Sequence, residues 1–234
     1  MIELFPEGFE EIERNGELEL AVYGNAGAEE RLWHAFGPGV ARSVSAGWES
    51  AWRRFHRPVR IGPLWVGPPW EPPDPDALAV VIEPGRAFGT GGHATTRLCL
   101  ELLVELERAS FVDVGCGSGV LAIAAVRLGF APVYALDADE SAVQAAAANA
   151  AANRVEVDVR RCDVFVAEIP RARTAVANID RAAVETVAGR LARAGTRVLI
   201  TSGYLAAERP RLSGWRQWDR REAEGWAADL FERS

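Results

Sequence analysis

The sequence contains no lysine, and cysteine, histidine and methionine are scarce. The three cysteines and the three histidines are widely separated, and no C-x-x-C pair is present. We therefore expect neither a disulfide framework nor a structural metal site, and a reducing compartment, the cytoplasm, fits best. No apolar run reaches the roughly 18 residues of a membrane span, and residues 1–13 are acidic, so we expect no transmembrane helix and no signal peptide.

Charge and size limit the class of protein further. The formal net charge of −7 disfavours direct binding to nucleic acid and would attract a basic protein partner. All 26 basic residues are arginines, for which a GC-rich genome that also enriches alanine is the explanation we favour. With 234 residues, 49% of them hydrophobic, the chain can form one large domain or a large and a small one.

The stretch that begins at residue 111 carries a functional pattern. Residues 111–114 form a largely apolar strand pattern that leads into three glycines at alternate positions, Gly115, Gly117 and Gly119. Because glycine has no Cβ, such a loop can turn tightly and bring its backbone against a ligand. Residues 120–129 then show helical spacing of apolar residues and end on a glycine, which predicts a helix and its C-terminus.

A second strand, predicted at residues 133–136, ends in Asp137. This acid lies 22 positions after Gly115, about where a doubly wound fold holds the carboxylate that binds ribose hydroxyls. The dinucleotide fingerprint is G-x-G-x-x-G, whereas the third glycine here comes one residue early. The G-x-G-x-G spacing, preceded by Asp113, resembles the first motif of class I S-adenosylmethionine-dependent methyltransferases. We therefore predict a nucleoside-type ligand.

A longer motif precedes the glycine loop. Glu83 to Arg97 reads Glu-Pro-Gly-x-Ala-Phe-Gly-Thr-Gly-x-His-x-Thr-Thr-Arg, a loop rich in backbone donors and small hydroxyls that is suited to wrap a ligand. Together with the glycine loop, this run closely resembles the ribosomal protein L11 methyltransferase family. The resemblance is convincing over residues 48–234 and loose before them.

The resemblance implies an α/β fold of the class I methyltransferase (Rossmann-like) type, a doubly wound and mostly parallel sheet with a C-terminal antiparallel hairpin. We expect this domain at residues 77–234, after a small, truncated ferredoxin-like α+β substrate-recognition domain at residues 1–76. The boundary follows a proline-rich run at residues 68–75, which can continue neither a helix nor a central strand. Family members open with a further strand and helix, so we expect either a late start or a reduced recognition domain.

Local patterns predict the remaining elements. In the amino-terminal part these are a hairpin around Asn15-Gly16, helices at residues 29–36 and 48–55, and one strand at residues 59–66. After it we expect strands at residues 79–82, 155–160, 174–177 and 197–201, helices that start near Thr95 and that span residues 141–153 and 181–193, and a hairpin of residues 215–222 and 226–233.

The resemblance also assigns a site. It implies S-adenosylmethionine as the cofactor, released as S-adenosylhomocysteine, and the contact residues Thr96, Gly115, Asp137 and Asn178. The predicted contacts also include Gly117, Phe88, and Asp163 in the loop where class I methyltransferases usually contact the adenine. Asn178, beside the reacting methyl, is the catalytic candidate. Asp137 would bind the ribose, and Thr96 the methionine end.

Structural roles compete at several of these positions. Thr96 can be only a helix cap, and Phe88 can be a core residue instead of covering the cofactor with an aromatic face that stabilises a sulfonium. We expect Asp113 to brace the loop by hydrogen bonds. We interpret His93, which lacks an obvious carboxylate to orient it, as a loop-structural or substrate-edge residue and not as a general base.

The reaction implied is methyl transfer from S-adenosylmethionine to amino groups of ribosomal protein L11, by direct attack of a neutral amine without a covalent enzyme intermediate. Two alternatives stay open: a methyltransferase for another protein lysine or a small amine, and a cofactor-binding module without turnover. We expect a monomer with a basic protein substrate, no direct contact with nucleic acid and no membrane association. The missing lysine could also spare a lysine-modifying enzyme from its own activity.

Overall fold

The structure is a computed structural model that describes residues 10–14, 17–21, 32–33, 36–37, 56–84 and 91–233. The chain divides into two compact units, Met1–Trp52 and Arg53–Ser234. In the described residues, no helix is both long enough and apolar enough to cross a bilayer.

The first unit contains the predicted hairpin. Strands β1 (Glu10–Arg14) and β2 (Glu17–Ala21) pair in antiparallel register, with Arg14 opposite Glu17. Leu32, Trp33 and Phe36 are helical, within the helix predicted at residues 29–36. The helix predicted at residues 48–55 lies outside the described residues.

The second unit alternates strands and helices. Its strands are β3 (Val59–Ile61), β4 (Leu64–Gly67), β5 (Leu78–Val81), β6 (Phe111–Val114), β7 (Val133–Asp137), β8 (Asp158–Arg161), β9 (Thr174–Asn178), β10 (Val198–Leu205), β11 (Trp215–Ala223) and β12 (Trp226–Arg233). Its described helices are α1 (Ala94–Glu105), α2 (Val120–Leu128), α3 (Glu140–Ala152) and α4 (Arg181–Arg193).

Seven of these strands form one sheet in the order β11-β12-β10-β9-β6-β7-β8. Strands β10, β9, β6, β7 and β8 run parallel, whereas β12 and β11 are antiparallel to their neighbours. This arrangement confirms the predicted fold class. Strands β6 and β9 lie side by side although β7 and β8 intervene in sequence, so the strand order reverses there, where open α/β sheets bind ligands.

Both faces of the sheet are covered, which explains the unbroken apolar runs of its central strands. One core contains residues of α1, α2 and α3 with Phe111 and Val176. The other contains residues of α4 with Val112 and Ala175. Because side chains alternate along a strand, each central strand contributes to both cores.

The prediction of a single strand at residues 59–66 is wrong. The chain reverses at Gly62 and Pro63, so β3 and β4 form an antiparallel pair, and β4 pairs in parallel with β5. Gly62 has φ +53°, a left-handed conformation that glycine adopts easily. Leu64 and Val66 pack in the same core as α1 and α2, so this part of residues 1–76 belongs to the second unit. A recognition domain at residues 1–76 stays a prediction.

Candidate active site

The glycine loop joins β6 to α2, and its three glycines have φ of +69° (Gly115), +52° (Gly117) and +80° (Gly119). A Cβ on Gly115 would lie 2.5 Å from Cγ2 of Ile179, and one on Gly119 would lie 3.0 Å from Cβ of Ala146. The backbone angle therefore favours glycine at both positions, and at Gly115 the lack of space does so as well. The loop can approach a ligand with its backbone alone.

Asp137 ends β7 directly beside this loop. Its Oδ2 accepts a hydrogen bond from the Gly117 N–H at 3.0 Å, and its Oδ1 accepts one from the Asp139 N–H at 3.0 Å. Each carboxylate oxygen has two lone pairs, so each can accept a further bond from a ribose hydroxyl. The two predicted contacts Gly117 and Asp137 are thus brought together.

Asp113 lies beneath the loop and is fully buried. Its Oδ2 accepts a hydrogen bond at 3.1 Å from the N–H of Ala122 in the first turn of α2. Asp113 therefore braces the first turn of the helix that follows the loop, and the positive end of the helix dipole supports a negative charge there. Burial nevertheless raises the pKa of Asp113 to about 7, and the charge of Asp137 adds to that effect.

Thr96 and Asn178 share an unusual property. The Thr96 hydroxyl oxygen and the Asn178 amide oxygen are buried, and neither has a hydrogen-bond partner in the described part of the chain. Leaving one such atom unsatisfied costs about 1–3 kcal/mol, so buried polar groups are usually paired. Asn178 follows Val176 by two positions on β9 and therefore projects to the face that α1 covers, where Thr96 lies.

His93, not Thr96, caps α1. Its side chain accepts a hydrogen bond from the N–H of Thr95, and its Nδ1 lies 2.8 Å from the Thr95 hydroxyl. The ring meets Trp226 edge-on, with 5.0 Å between ring centres. His93 therefore has a structural role at the start of α1, one of the two roles expected of it, and the alternative that Thr96 is only a cap is wrong.

Asp163 lies in the loop after β8, next to the end of β7. The N–H of Cys162 donates to the carbonyl of Asp137 at 2.7 Å, and Asp163 Oδ1 accepts from the Phe165 N–H at 2.9 Å. Phe165 and Val166 are 43% and 76% exposed, an apolar surface beside Asp163 that sequence reasoning missed. Two adjacent apolar residues after a polar turn are the only signal they leave in the sequence.

Asn149, which sequence reasoning assigned only to a helix, connects the two motifs. Its side-chain NH2 donates to the carbonyl of Ser118 at 2.9 Å, and its Oδ1 accepts from the N–H of Glu83 at 3.1 Å. Asn149 is buried, and its bond to Ser118 is buried as well, whereas its bond to Glu83 is only partly buried. Its signal in the sequence is an amide within a run of alanines. Phe88 lies outside the described residues, and its contact stays a prediction.

Comparison with known proteins gives one consistent result. The family model of ribosomal protein L11 methyltransferase (PrmA) matches residues 34–228. The L11 methyltransferase of Legionella pneumophila strain Philadelphia 1 is 40% identical over 196 residues, which cover 79% of this chain and 68% of the relative. That of Symbiobacterium thermophilum is 41% identical over 198 residues, covering 78% and 64%. The crystal structure of the L11 methylase of Lactobacillus delbrueckii subsp. bulgaricus superposes with a TM-score of 0.68 at 26% identity, covering 76% of this chain and 99% of that one.

Proposed function

Because the chain belongs to the ribosomal protein L11 methyltransferase family, we propose that it methylates amino groups of ribosomal protein L11 with S-adenosylmethionine as the donor. The observation that supports this site most directly is the pair of buried oxygens of Thr96 and Asn178 that have no hydrogen-bond partner among the residues that the structure describes. Asn178 ends β9, which pairs with β6, the strand before the glycine loop, and a nucleoside with a polar tail would supply partners for such oxygens.

The residues at and near the carboxyl ends of the parallel strands fit this cofactor. Asp137 would accept hydrogen bonds from the ribose hydroxyls, and the Thr96 hydroxyl would bond the methionine end. Gly115 and Gly117 would hold the backbone close to the ligand, and the loop of Asp163 would contact the adenine. When bound, S-adenosylmethionine supplies a methyl group on a sulfonium and is released as S-adenosylhomocysteine. Phe88, which precedes α1 in sequence, is proposed to cover the cofactor.

Asn178 would act on the amine. Its Oδ1 can accept one N–H of the neutral amine, which turns the nitrogen lone pair away from the amide and toward the methyl group. The amine nitrogen would gain the methyl group as the carbon–sulfur bond breaks, and the nitrogen would then release its extra proton to solvent. Alignment of the reactants and exclusion of water would supply most of the rate enhancement, because the attack needs no covalent intermediate.

The substrate and cellular setting are the finer part of the proposal. We propose that residues 1–76 orient L11 and that the net charge of −7 attracts this basic protein. The same charge disfavours direct nucleic-acid binding, and we propose a monomeric, cytoplasmic protein. Another protein lysine or a small amine is the second candidate substrate, since the cofactor site alone would serve any amine.

Methyl transfer from radiolabelled S-adenosylmethionine to purified L11 and to the proteins of a cell lysate, with the products read by mass, tests the proposal. The wild-type chain should label L11, whereas Asn178→Ala should reduce turnover more than it reduces the affinity for S-adenosylhomocysteine. Labelling of a lysate protein other than L11 would move the assignment to the second candidate. Cofactor binding without labelling of any substrate would indicate that the protein is a cofactor-binding module without turnover. If Asn178→Ala keeps wild-type kcat and KM, Asn178 is only structural.

A further inference from the structure

Ile179, the residue after the catalytic candidate, lies between two glycines, Gly115 of the glycine loop and Gly203 of β10. Its Cγ2 occupies the position where a side chain on Gly115 would begin, 2.5 Å from an ideal Cβ. On its backbone side, a Cβ on Gly203 would overlap the carbonyl oxygen of Ile179 and would lie 2.6 Å from its carbonyl carbon. Ile179 therefore contacts the cofactor-loop glycine with its side chain and β10 with its backbone.

The contact with β10 depends on a β-bulge. Ser202 pairs with Asn178, and the register of β10 against β12 shifts between Ser202 and Tyr204. Gly203 lies at this shift with φ +97°, a conformation that side chains disfavour. The bulge thus occurs directly after the residue paired with Asn178.

Side chains on both sides fix the bulge in place. The Ser202 hydroxyl donates to the carbonyl of Ala227 at 2.7 Å, and the Tyr204 hydroxyl donates to Oδ2 of the fully buried Asp229 at 2.7 Å. Arg220 donates to the same carboxylate oxygen at 2.7 Å, which keeps the buried charge paired. β10 therefore presents a rigid surface to the backbone of Ile179.

The other end of the segment is fixed as well. Asp180 caps α4 through a hydrogen bond from the N–H of Ala183 to its Oδ1 at 3.0 Å. Only Ile179 lies between the last residue of β9 and this cap. A shift of Ile179 would consequently displace the backbone of Asn178, because neither neighbouring element can absorb it.

We propose that Ile179 is a positioning residue, which holds the Asn178 amide in register with the cofactor loop by filling the space between Gly115 and Gly203. This inference rests on the proposed role of Asn178. It also explains why the glycine loop must lack a side chain at residue 115: the space belongs to Ile179. A displacement of about 1 Å at a reacting group can reduce turnover about 100-fold, so a small packing defect here should be visible in kcat.

The test compares Ile179→Ala with Ile179→Val. Alanine removes Cγ2 and opens the contact with Gly115, whereas valine keeps both γ carbons and loses only the terminal methyl. We expect Ile179→Ala to lower kcat at least about tenfold with little change in the affinity for S-adenosylhomocysteine, and Ile179→Val to retain most of the turnover. Urea unfolding of each variant checks that the fold is retained.

A double-mutant cycle separates positioning from packing. If Ile179 acts through Asn178, Asn178→Ala combined with Ile179→Ala should be no slower than Asn178→Ala alone. Losses that multiply, or an unchanged kcat in Ile179→Ala, would overturn the inference. Equal losses in the alanine and valine variants would do so as well.

A readout without turnover completes the experiment. In ¹⁵N-labelled protein, the side-chain NH2 resonances of Asn178, assigned with Asn178→Ala, should move toward free-amide values and exchange faster with water in Ile179→Ala only. Resonances that are the same in wild type and in Ile179→Ala would contradict the inference. If the wild-type chain fails to methylate L11, the proposed function fails, and these resonances alone decide whether Ile179 positions Asn178.

Discussion

The carboxylate of Asp137 accepts a hydrogen bond from the backbone N–H of Gly117, with 3.0 Å between Oδ2 and nitrogen, although the two residues are 20 positions apart. The residue proposed to bind the ribose therefore also holds the loop that approaches the rest of the cofactor. We therefore expect the binding of the ribose at Asp137 to depend on the conformation of the glycine loop.

Asp137→Ala should weaken the binding of S-adenosylhomocysteine by at least about 1.5–3 kcal/mol, the cost of one hydrogen bond to a charged group. Asp137→Asn keeps one oxygen and the same shape, so its loss should be smaller. Calorimetric titration of both variants measures the two affinities. An alanine variant that binds as tightly as wild type would disprove the ribose assignment.

Thr96→Val should raise the stability of the free protein and lower its affinity for the cofactor. The valine is nearly the same size, and it removes a buried oxygen that has no partner in the described residues, so the unfolding free energy of the free protein should rise by about 1 kcal/mol. Cofactor affinity should fall, because the proposed contact is lost. Thr96→Ser keeps the hydroxyl and is the control. A Thr96→Val variant with lower stability and unchanged affinity would contradict the assignment.

Asp113 should make stability depend on pH. The pKa of this carboxyl is raised in the folded protein from 3.8 to about 7, chiefly by burial, so the folded state binds the proton more tightly than the unfolded chain does. Its contribution to stability is therefore complete below the unfolded pKa and is lost as the pH rises through the folded value.

Urea unfolding at pH 5 and pH 8 checks this dependence. Wild type should lose more unfolding free energy between these two pH values than Asp113→Asn, which cannot ionise but can still accept the bond from Ala122. The other titratable groups are common to both proteins and cancel in the comparison. Equal losses in the two proteins would show that Asp113 does not titrate in this range.

Gly203→Ala should destabilise the protein more than its backbone angle alone explains. Gly129 is the matched control, since it has φ +95° against +97° for Gly203 and nothing lies within 4 Å of an added Cβ. We expect Gly203→Ala to cost about 1–3 kcal/mol more than Gly129→Ala, because its methyl group would overlap Ile179. Denaturant unfolding of the two variants gives the difference, and equal costs would mean that the bulge adjusts.

Much of the second unit follows from local sequence alone. The helix at Arg181–Arg193 has the predicted bounds, and that at Val120–Leu128 ends where Gly129 takes φ +95°. The final hairpin turns at Glu224 and Gly225 as its pattern predicts. These features are local, because apolar periodicity and glycine conformation act within a few residues of chain. The glycine loop and Asp137 could also be predicted from local sequence, since one β-α-β unit contains both.

The contacts between distant segments were decided only by the tertiary structure. The turn at Gly62 divides a stretch whose apolar pattern predicts a single strand. Leu64 packs in the same core as α1, so this stretch belongs to the second unit. Asn149 bonds Ser118 and Glu83, and Ile179 contacts Gly115 of the glycine loop and Gly203 of β10, which are far apart in sequence. The residue types that can take part are visible in the sequence. Which of them meet depends on strand order and on a one-residue register shift, because both set distances between residues that no local pattern relates.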